Sequence, residues 1–193
     1  AKIAGSCNAV RLTADGKLIG DMFDGEGFVR GVLRKGRILK GARIFISGCG
    51  GVGSAIAASL AKAGVGFMRL HDAYAPIMQG LADRLKAHYP ALTLEVGVDD
   101  PSAMDLVVNA TPLGMKEGDP MPMDVSRIAP ECFVGEVVMK QEITPFLQAA
   151  IARGCAYQIG SDMLFEQIPA YLEFFGFRTT TPDELRDVAE LQY

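Results

Sequence analysis

Short apolar runs alternate along this 193-residue chain with stretches whose apolar residues recur at helical spacing. The runs at 10–12 and 18–19 flank an Asp15-Gly16 pair, so the chain opens as strand, turn, strand. After Asp24, residues Phe28, Val32 and Leu33 share one helical face and Gly36 closes the stretch, which predicts a short helix. The run at 43–47 stops at a glycine cluster and an alanine-rich segment follows at 54–63, giving strand, glycine-rich turn and helix. A second such unit is predicted from a strand at 67–70, closed by His71 and Asp72, and a helix at 77–88 carrying Leu81 and Leu85 on one face.

Further strands are predicted at 92–96, 106–108 and 133–138, alternating with loops or helices. Pro120, Pro122 and Pro130 make 116–130 irregular. Two helices close the chain at 163–175 and 182–191, the second with Thr181 as N-cap and Pro182 in its first position. Buried strands separated by helices define a parallel sheet covered on both faces, so the fold class is α/β.

Composition narrows the function classes. Hydrophobic residues at 49% against 22% charged residues describe a globular chain and exclude a disordered or collagen-like one. A net charge of -4 provides no cationic face for nucleic acid. No apolar run reaches the roughly 20 residues that span a bilayer, and no basic segment with an apolar core opens the chain, so neither membrane insertion nor export is expected. Cys7, Cys49, Cys132 and Cys155 are widely spaced, which reads as reduced thiols of a cytoplasmic protein. His71 and His88 have no neighbours at ligand spacing, and no metal site is expected.

The chemistry begins at Gly48-Cys49-Gly50-Gly51-Val52-Gly53, where Gly48, Gly50 and Gly53 have the spacing G-x-G-x-x-G between a strand and a helix. The first glycine makes a tight turn, the second lets backbone approach a pyrophosphate, and the third permits close helix packing; the helix N-terminus then faces the phosphates. A ligand-free strand-helix turn would account for a bare triplet, but Asp72 follows Gly53 by 19 residues and closes the next strand, where a carboxylate accepts hydrogen bonds from a ribose. That carboxylate repels a 2′-phosphate, and 73–76 read Ala-Tyr-Ala-Pro without a basic residue, so the expected cofactor is NAD(P), leaning to NAD. The aim of Arg69, on the strand, is not set by its position.

Five segments, G-S-C-N-A-V (5–10), D-G-K-L-I-G-D-M-F-D-G-E-G-F (15–28), N-A-T-P-L-G-M (109–115), I-T-P-F-L (143–147) and G-S-D-M-L-F-E-Q (160–167), together resemble the shikimate and quinate dehydrogenases, in that family's order. The resemblance implies hydride transfer between a nicotinamide and a small cyclic polyol acid. It makes Asn8 and Gln167 substrate ligands and puts Asp24 beside the reacting hydroxyl, paired with a lysine. Asp24 is also placed to be an N-cap. By the same resemblance Asn109, Thr111, Met115, Gly160 and Met163 touch the cofactor, alongside Gly48, Gly50, Gly51, Val52, Gly53 and Asp72; Met163 also fits the core face of an amphipathic helix.

The family's lysine belongs to a segment upstream of G-x-x-N, before this sequence starts; Lys2 is in the wrong context, and residues 1–193 alone are expected to lack turnover. The sequence departs from the family pattern in two stretches: the usual N-T-D reads Met22-Phe23-Asp24, and the usual aspartate and tyrosine of D-x-x-Y read Glu136 and Met139, where the lost phenol is expected to alter specificity more than reaction class. Asp162 replaces a common glycine, and a carboxylate near the nicotinamide is unexpected unless it points to solvent. The implied organisation is a substrate-domain remnant (1–23), a Rossmann-type doubly wound nicotinamide-binding domain (24–159) and C-terminal helices returning to the substrate domain (160–193). A small cyclic hydroxy acid is the expected partner, with neither nucleic acid nor membrane; a homodimer is compatible with the chain, though nothing in the sequence fixes it. Two other readings remain: a nucleoside-binding α/β methyltransferase, and a nicotinamide-binding module without catalysis.

Overall fold

The structure is a computed structural model that describes residues 1–191. The hairpin forms where Asp15-Gly16 puts it: β1 (Ala9–Leu12) pairs antiparallel with β2 (Leu18–Asp21), and Gly16 takes the turn at φ +79°. Helix α1 (Asp24–Arg34) leads into β3 (Arg43–Ser47), α2 (Gly51–Lys62), β4 (Phe67–His71), α3 (Ala75–His88) and β5 (Thr93–Val96). The chain then crosses to β6 (Leu106–Asn109), β7 (Phe133–Glu136), α4 (Pro145–Ala152), β8 (Tyr157–Gln158), α5 (Gly160–Phe174) and α6 (Pro182–Val188).

Two elements lie outside the periodicity argument. Helix α4 is capped by Thr144, whose hydroxyl accepts from the Leu147 N–H, with proline in its first turn; β8 is only two residues long. Both fall below the length at which apolar periodicity separates helix from strand. The glycine-rich helix also begins three residues earlier than predicted, at Gly51, because the glycines of the loop continue into its first turn.

Six strands form one parallel sheet in the order β5-β4-β3-β6-β7-β8. From β3 the chain winds outward through β4 and β5, returns beside β3 as β6, and winds the other way. The C-terminal ends of β3 and β6 therefore meet at a topological switch point, in register at Ser47 and Asn109.

Strand alternation divides the core. Ile44 and Ile46, with Met68, Leu70, Leu106 and Val108, meet α1, α2, α3 and α5 on one face. Phe45, Val107 and Val134 meet α4 on the other, together with Met123, Val125 and Ile128. The proline-containing loop, irregular apart from a 3-10 turn at Val125–Arg127, thus covers part of the second face that α4 alone leaves bare.

Helix α1 is wedged between α2 and α5. A Cβ at Gly25 would collide with the backbone carbonyl of Ala55 on α2, and one at Gly27 would stand 2.5 Å from the Met163 carbonyl oxygen on α5. Gly25→Ala must push α1 away from α2, with an expected cost of about 1–3 kcal/mol. A thermal melt measures it, and an unchanged Tm would show that this crossing is loose.

Candidate active site

The three motif glycines do different work. Gly48 has φ +98°, and a Cβ there would stand 2.6 Å from the Ala110 carbonyl carbon at the end of β6; a Cβ at Gly53 would strike the Gly48 carbonyl oxygen. Both are demanded by the protein's own packing. Gly50, the N-cap of α2, has nothing within 4 Å of the place its Cβ would take, and Gly51 has only the Ser6 hydroxyl, at 4.0 Å. The packing therefore closes at the first and third glycines and leaves a cradle at the second, above the positive end of α2, which is where a pyrophosphate fits. Val52 is half-buried against the core and anchors the first helical turn.

Asp72 is drawn into this loop. Its Oδ2 accepts from the Cys49 N–H at 2.7 Å and its Oδ1 from the Tyr74 N–H at 2.8 Å, so the carboxylate ties β4 to the glycine turn. A carboxylate offers about four lone-pair positions, and two remain for ribose hydroxyls. Cys49 is fully buried, and burial with the nearby Asp72 charge pushes its thiol up to about 12, which makes it inert packing. Arg69 donates to Glu95 Oε2 at 2.6 Å and to the Asp100 carbonyl. It is turned along the sheet and its charge is already matched. His71 stands 3.7 Å from Asp99.

Across the switch point the N-A-T-P-L-G-M segment holds itself in shape. Asn109 Oδ1 accepts from the Thr111 N–H (3.0 Å) and hydroxyl (2.6 Å), and the Thr111 hydroxyl oxygen accepts from the Leu113 N–H at 3.1 Å. Asn109 Nδ2 donates to the Leu113 carbonyl at 3.1 Å and to Glu136 Oε1 at 3.0 Å. The side chains of Asn109 and Thr111 are thus occupied in forming the loop, and what the loop offers outward is backbone and the exposed Met115.

Glu136, where the sequence departs from the family's aspartate, is fully buried. It accepts from the Val137 and Val138 N–H groups (2.9 and 3.1 Å) and from the Thr144 hydroxyl (3.0 Å) besides Asn109. Burial raises its pKa while these four donors pull it down. It braces the switch point. Met139, at the other departure, is largely exposed beside Gly160, where a Cβ would strike the Val138 carbonyl.

A second group lies where the hairpin, α1 and α5 meet. Asn8 Oδ1 accepts from the Phe23 N–H at 3.1 Å, and its Nδ2 donates to Asp24 Oδ1 at 2.7 Å. Asp24 is the first residue of α1 and caps nothing; Phe23 is the N-cap, so the N-cap expectation is corrected. The short side chain turns back to Asn8 instead of over its own helix. Burial raises the Asp24 carboxyl above the ordinary carboxylate range, and the Asn8 bond partly opposes this. Gln167, on α5, is buried with its Oε1 unpartnered.

Of the α5 residues, Gly160 allows the close approach to the loop after β7, whereas the Met163 side chain lies in the main core. Asp162 answers the difficulty seen in the sequence: it is directed to Lys35 Nζ (2.9 Å) and Arg186 (3.3 Å), and its Oδ2 accepts from the Ile159 N–H. Two residues that the sequence reading did not single out stand beside these groups: Ser6 near Gly51, and Tyr171, whose ring lies 4.8 Å from that of Phe23. The Ser6 hydroxyl is buried and unpartnered facing Gly51, and its place inside G-S-C-N was the available clue. Tyr171 had none, because its position depends on how α5 packs. Among the described residues no group of three or more His, Cys, Asp or Glu side chains is placed to hold a metal, and no helix is long and apolar enough to cross a membrane.

No family model matches the chain. Curated relatives do. The shikimate dehydrogenase (NADP(+)) of Paracoccus denitrificans is 32% identical over 194 residues, covering 96% of this chain and 67% of the relative. Among solved structures, quinate dehydrogenase from Corynebacterium glutamicum in complex with NAD superposes with a TM-score of 0.82 at 31% identity, covering 96% of this chain and 68% of that one. The ligand-free 5-ketofructose reductase of Gluconobacter sp. strain CHM43 gives a TM-score of 0.85 at 28% identity with the same coverage. The chain spans about two thirds of the length of these proteins.

Proposed function

Because the chain belongs to the shikimate and quinate dehydrogenase family, we propose that it is the cofactor-binding part of an oxidoreductase that passes hydride between NAD and a small cyclic polyol acid. The observation that supports this best is the open cradle at Gly50: the protein's packing requires Gly48 and Gly53, but only a ligand requires the space kept at Gly50. Family membership selects nicotinamide over the S-adenosylmethionine that a methyltransferase would hold.

The bound nicotinamide would supply hydride acceptance and donation at its C4. The chain's own residues do the rest. Gly50, Gly51 and the end of α2 receive the pyrophosphate, and Asp72 accepts from the adenosine ribose. Gly160 lets α5 close against the loop after β7. Asn8 holds Asp24 in place beside the reacting hydroxyl, where an ionised carboxylate orients that hydroxyl and keeps a neighbouring ammonium charged. Gln167 Oε1 accepts from a substrate hydroxyl.

The preference for NAD rests on charge. Asp72 faces the ribose, and the nearby guanidinium of Arg69 is engaged by Glu95 and Asp100, so no free cation of β4 meets a 2′-phosphate. Calorimetric titration is expected to show NAD bound at least roughly tenfold more tightly than NADP. Asp72→Ala should weaken NAD by about tenfold, the worth of a charged hydrogen bond, and narrow the gap to NADP. Tighter NADP binding by the unaltered protein would reverse the cofactor assignment.

The substrate panel is shikimate, quinate and 5-keto-D-fructose. The last is included because of the structural likeness to a 5-ketofructose reductase and because Met139 offers no phenol.

A further inference from the structure

We propose that Tyr171 is a specificity-determining residue of the substrate pocket, donating a hydrogen bond to a substrate oxygen next to the one that Gln167 receives. The inference rests on the oxidoreductase reading above and names a contact that neither the glycine motif nor the comparisons assign.

Tyr171 and Gln167 are four residues apart on α5, so they stand one above the other on one helical face. That face looks at α1. A Cβ on Gly27 would stand 2.7 Å from Gln167 Cβ, and the Tyr171 ring lies 4.8 Å from the ring of Phe23, the residue preceding Asp24. Asn8 bonds both Phe23 and Asp24, so the hairpin, α1 and the Gln167–Tyr171 face converge on one spot.

The polar capacity at this spot is unspent. Gln167 Oε1 is buried without a partner. Asp24 uses Oδ1 for Asn8, and neither its Oδ2 nor the Tyr171 hydroxyl makes a hydrogen bond among the described residues. Packing alone does not explain the phenol. The ring sits in an aromatic group with Phe23 and Phe174 that phenylalanine would fill equally well, so the hydroxyl adds nothing to that packing and is left at the solvent-accessible edge of the group.

A carboxylate and an amide oxygen only accept here, whereas the phenol donates. Burial and the Asp24 charge both raise the Tyr171 pKa, so the phenol stays protonated at neutral pH. The triad of Asp24, Gln167 and Tyr171 therefore suits a substrate with a reacting hydroxyl and two further oxygens on the side toward α5, one presenting a proton and the other a lone pair. A polyhydroxylated ring or chain has this pattern, and a mono-hydroxy acid does not.

Tyr171→Phe keeps the ring on Phe23 and removes only the hydroxyl. The variant should be made in the protein as its gene encodes it and assayed with shikimate, quinate and 5-keto-D-fructose. For the probe that the unaltered enzyme turns over best, KM should rise roughly tenfold or more, with kcat within about threefold and both Tm and the Kd for NAD unchanged. An unchanged KM overturns the inference and leaves the oxidoreductase reading intact. So does a KM rise matched by losses of Tm and NAD affinity, since a structural role would produce all three. Failure of the unaltered enzyme to bind or turn over any of the three probes overturns the polyol reading itself, and Tyr171's role with it.

Discussion

Asp24→Asn is expected to lower turnover by about 10²–10⁴-fold, the range of a positioned acid-base group, while the Kd for NAD stays within about twofold. The variant should fold. Asparagine retains an Oδ1 to accept from Asn8, and the carboxylate it replaces carries a burial penalty. The sign follows from the raised pKa: the folded state binds the Asp24 proton more tightly than the unfolded state, so this group's contribution to stability is present below the ordinary carboxylate value and is lost as pH rises through the raised one. At neutral pH Asp24→Asn should therefore be as stable as the parent or more so. Activity needs the ionised form, so the acid limb of kcat/KM should follow the Asp24 carboxyl, which burial pushes up and a paired ammonium would pull down. Asn8→Ala, which removes the donor favouring that form, should move the limb higher. Equal losses of turnover and NAD affinity in Asp24→Asn would place Asp24 in the architecture and outside the chemistry.

Glu136→Ala should cost about 3–5 kcal/mol, because it strands the Val137 and Val138 N–H groups, the Thr144 hydroxyl and one Asn109 N–H in a site closed to water. For a chain of this size that is a fall of roughly 10 °C in Tm. The loss should reach the ligand as well: Asn109 shapes the 109–113 turn that packs against Gly48, so NAD binding should weaken even at temperatures where the variant is folded. Burial dominates the raised Glu136 pKa, so this group favours the fold below the ordinary carboxylate range and progressively less as pH rises through its raised value. Denaturant melts across that range measure it. A Tm within about 2 °C of the parent would mean that water replaces the carboxylate and that the brace is dispensable.

The glycine loop and the strands beside it were legible because each depends on neighbours in sequence. Arg43–Ser47 is an apolar run ended by a turn, and Gly48 and Gly53 are needed for local packing whatever surrounds them. Asp72 was legible by its distance from Gly53, and it does stand at the loop. Asn8, Asp24 and Gln167 came from resemblance, and the structure brings Asn8 and Asp24 into direct contact and leaves the Gln167 oxygen open. Helix α4 and β8 were not legible, being too short for periodicity to speak. Nor was the direction of Arg69: strand position gives its face, but Glu95 and Asp100, far along the chain, decide where its charge is used.

The chain by itself therefore determined an α/β sheet, a glycine-rich turn after β3 and an acidic residue just past the end of β4, since side-chain period and glycine spacing are local properties of a backbone. Tertiary structure alone decided that Glu136 braces the switch point, that Asp162 turns away to Lys35 and Arg186, and that Tyr171 packs on Phe23, the residue before Asp24. Those outcomes depend on which buried polar groups find partners when distant segments pack, and partnership of that kind has no period in the sequence.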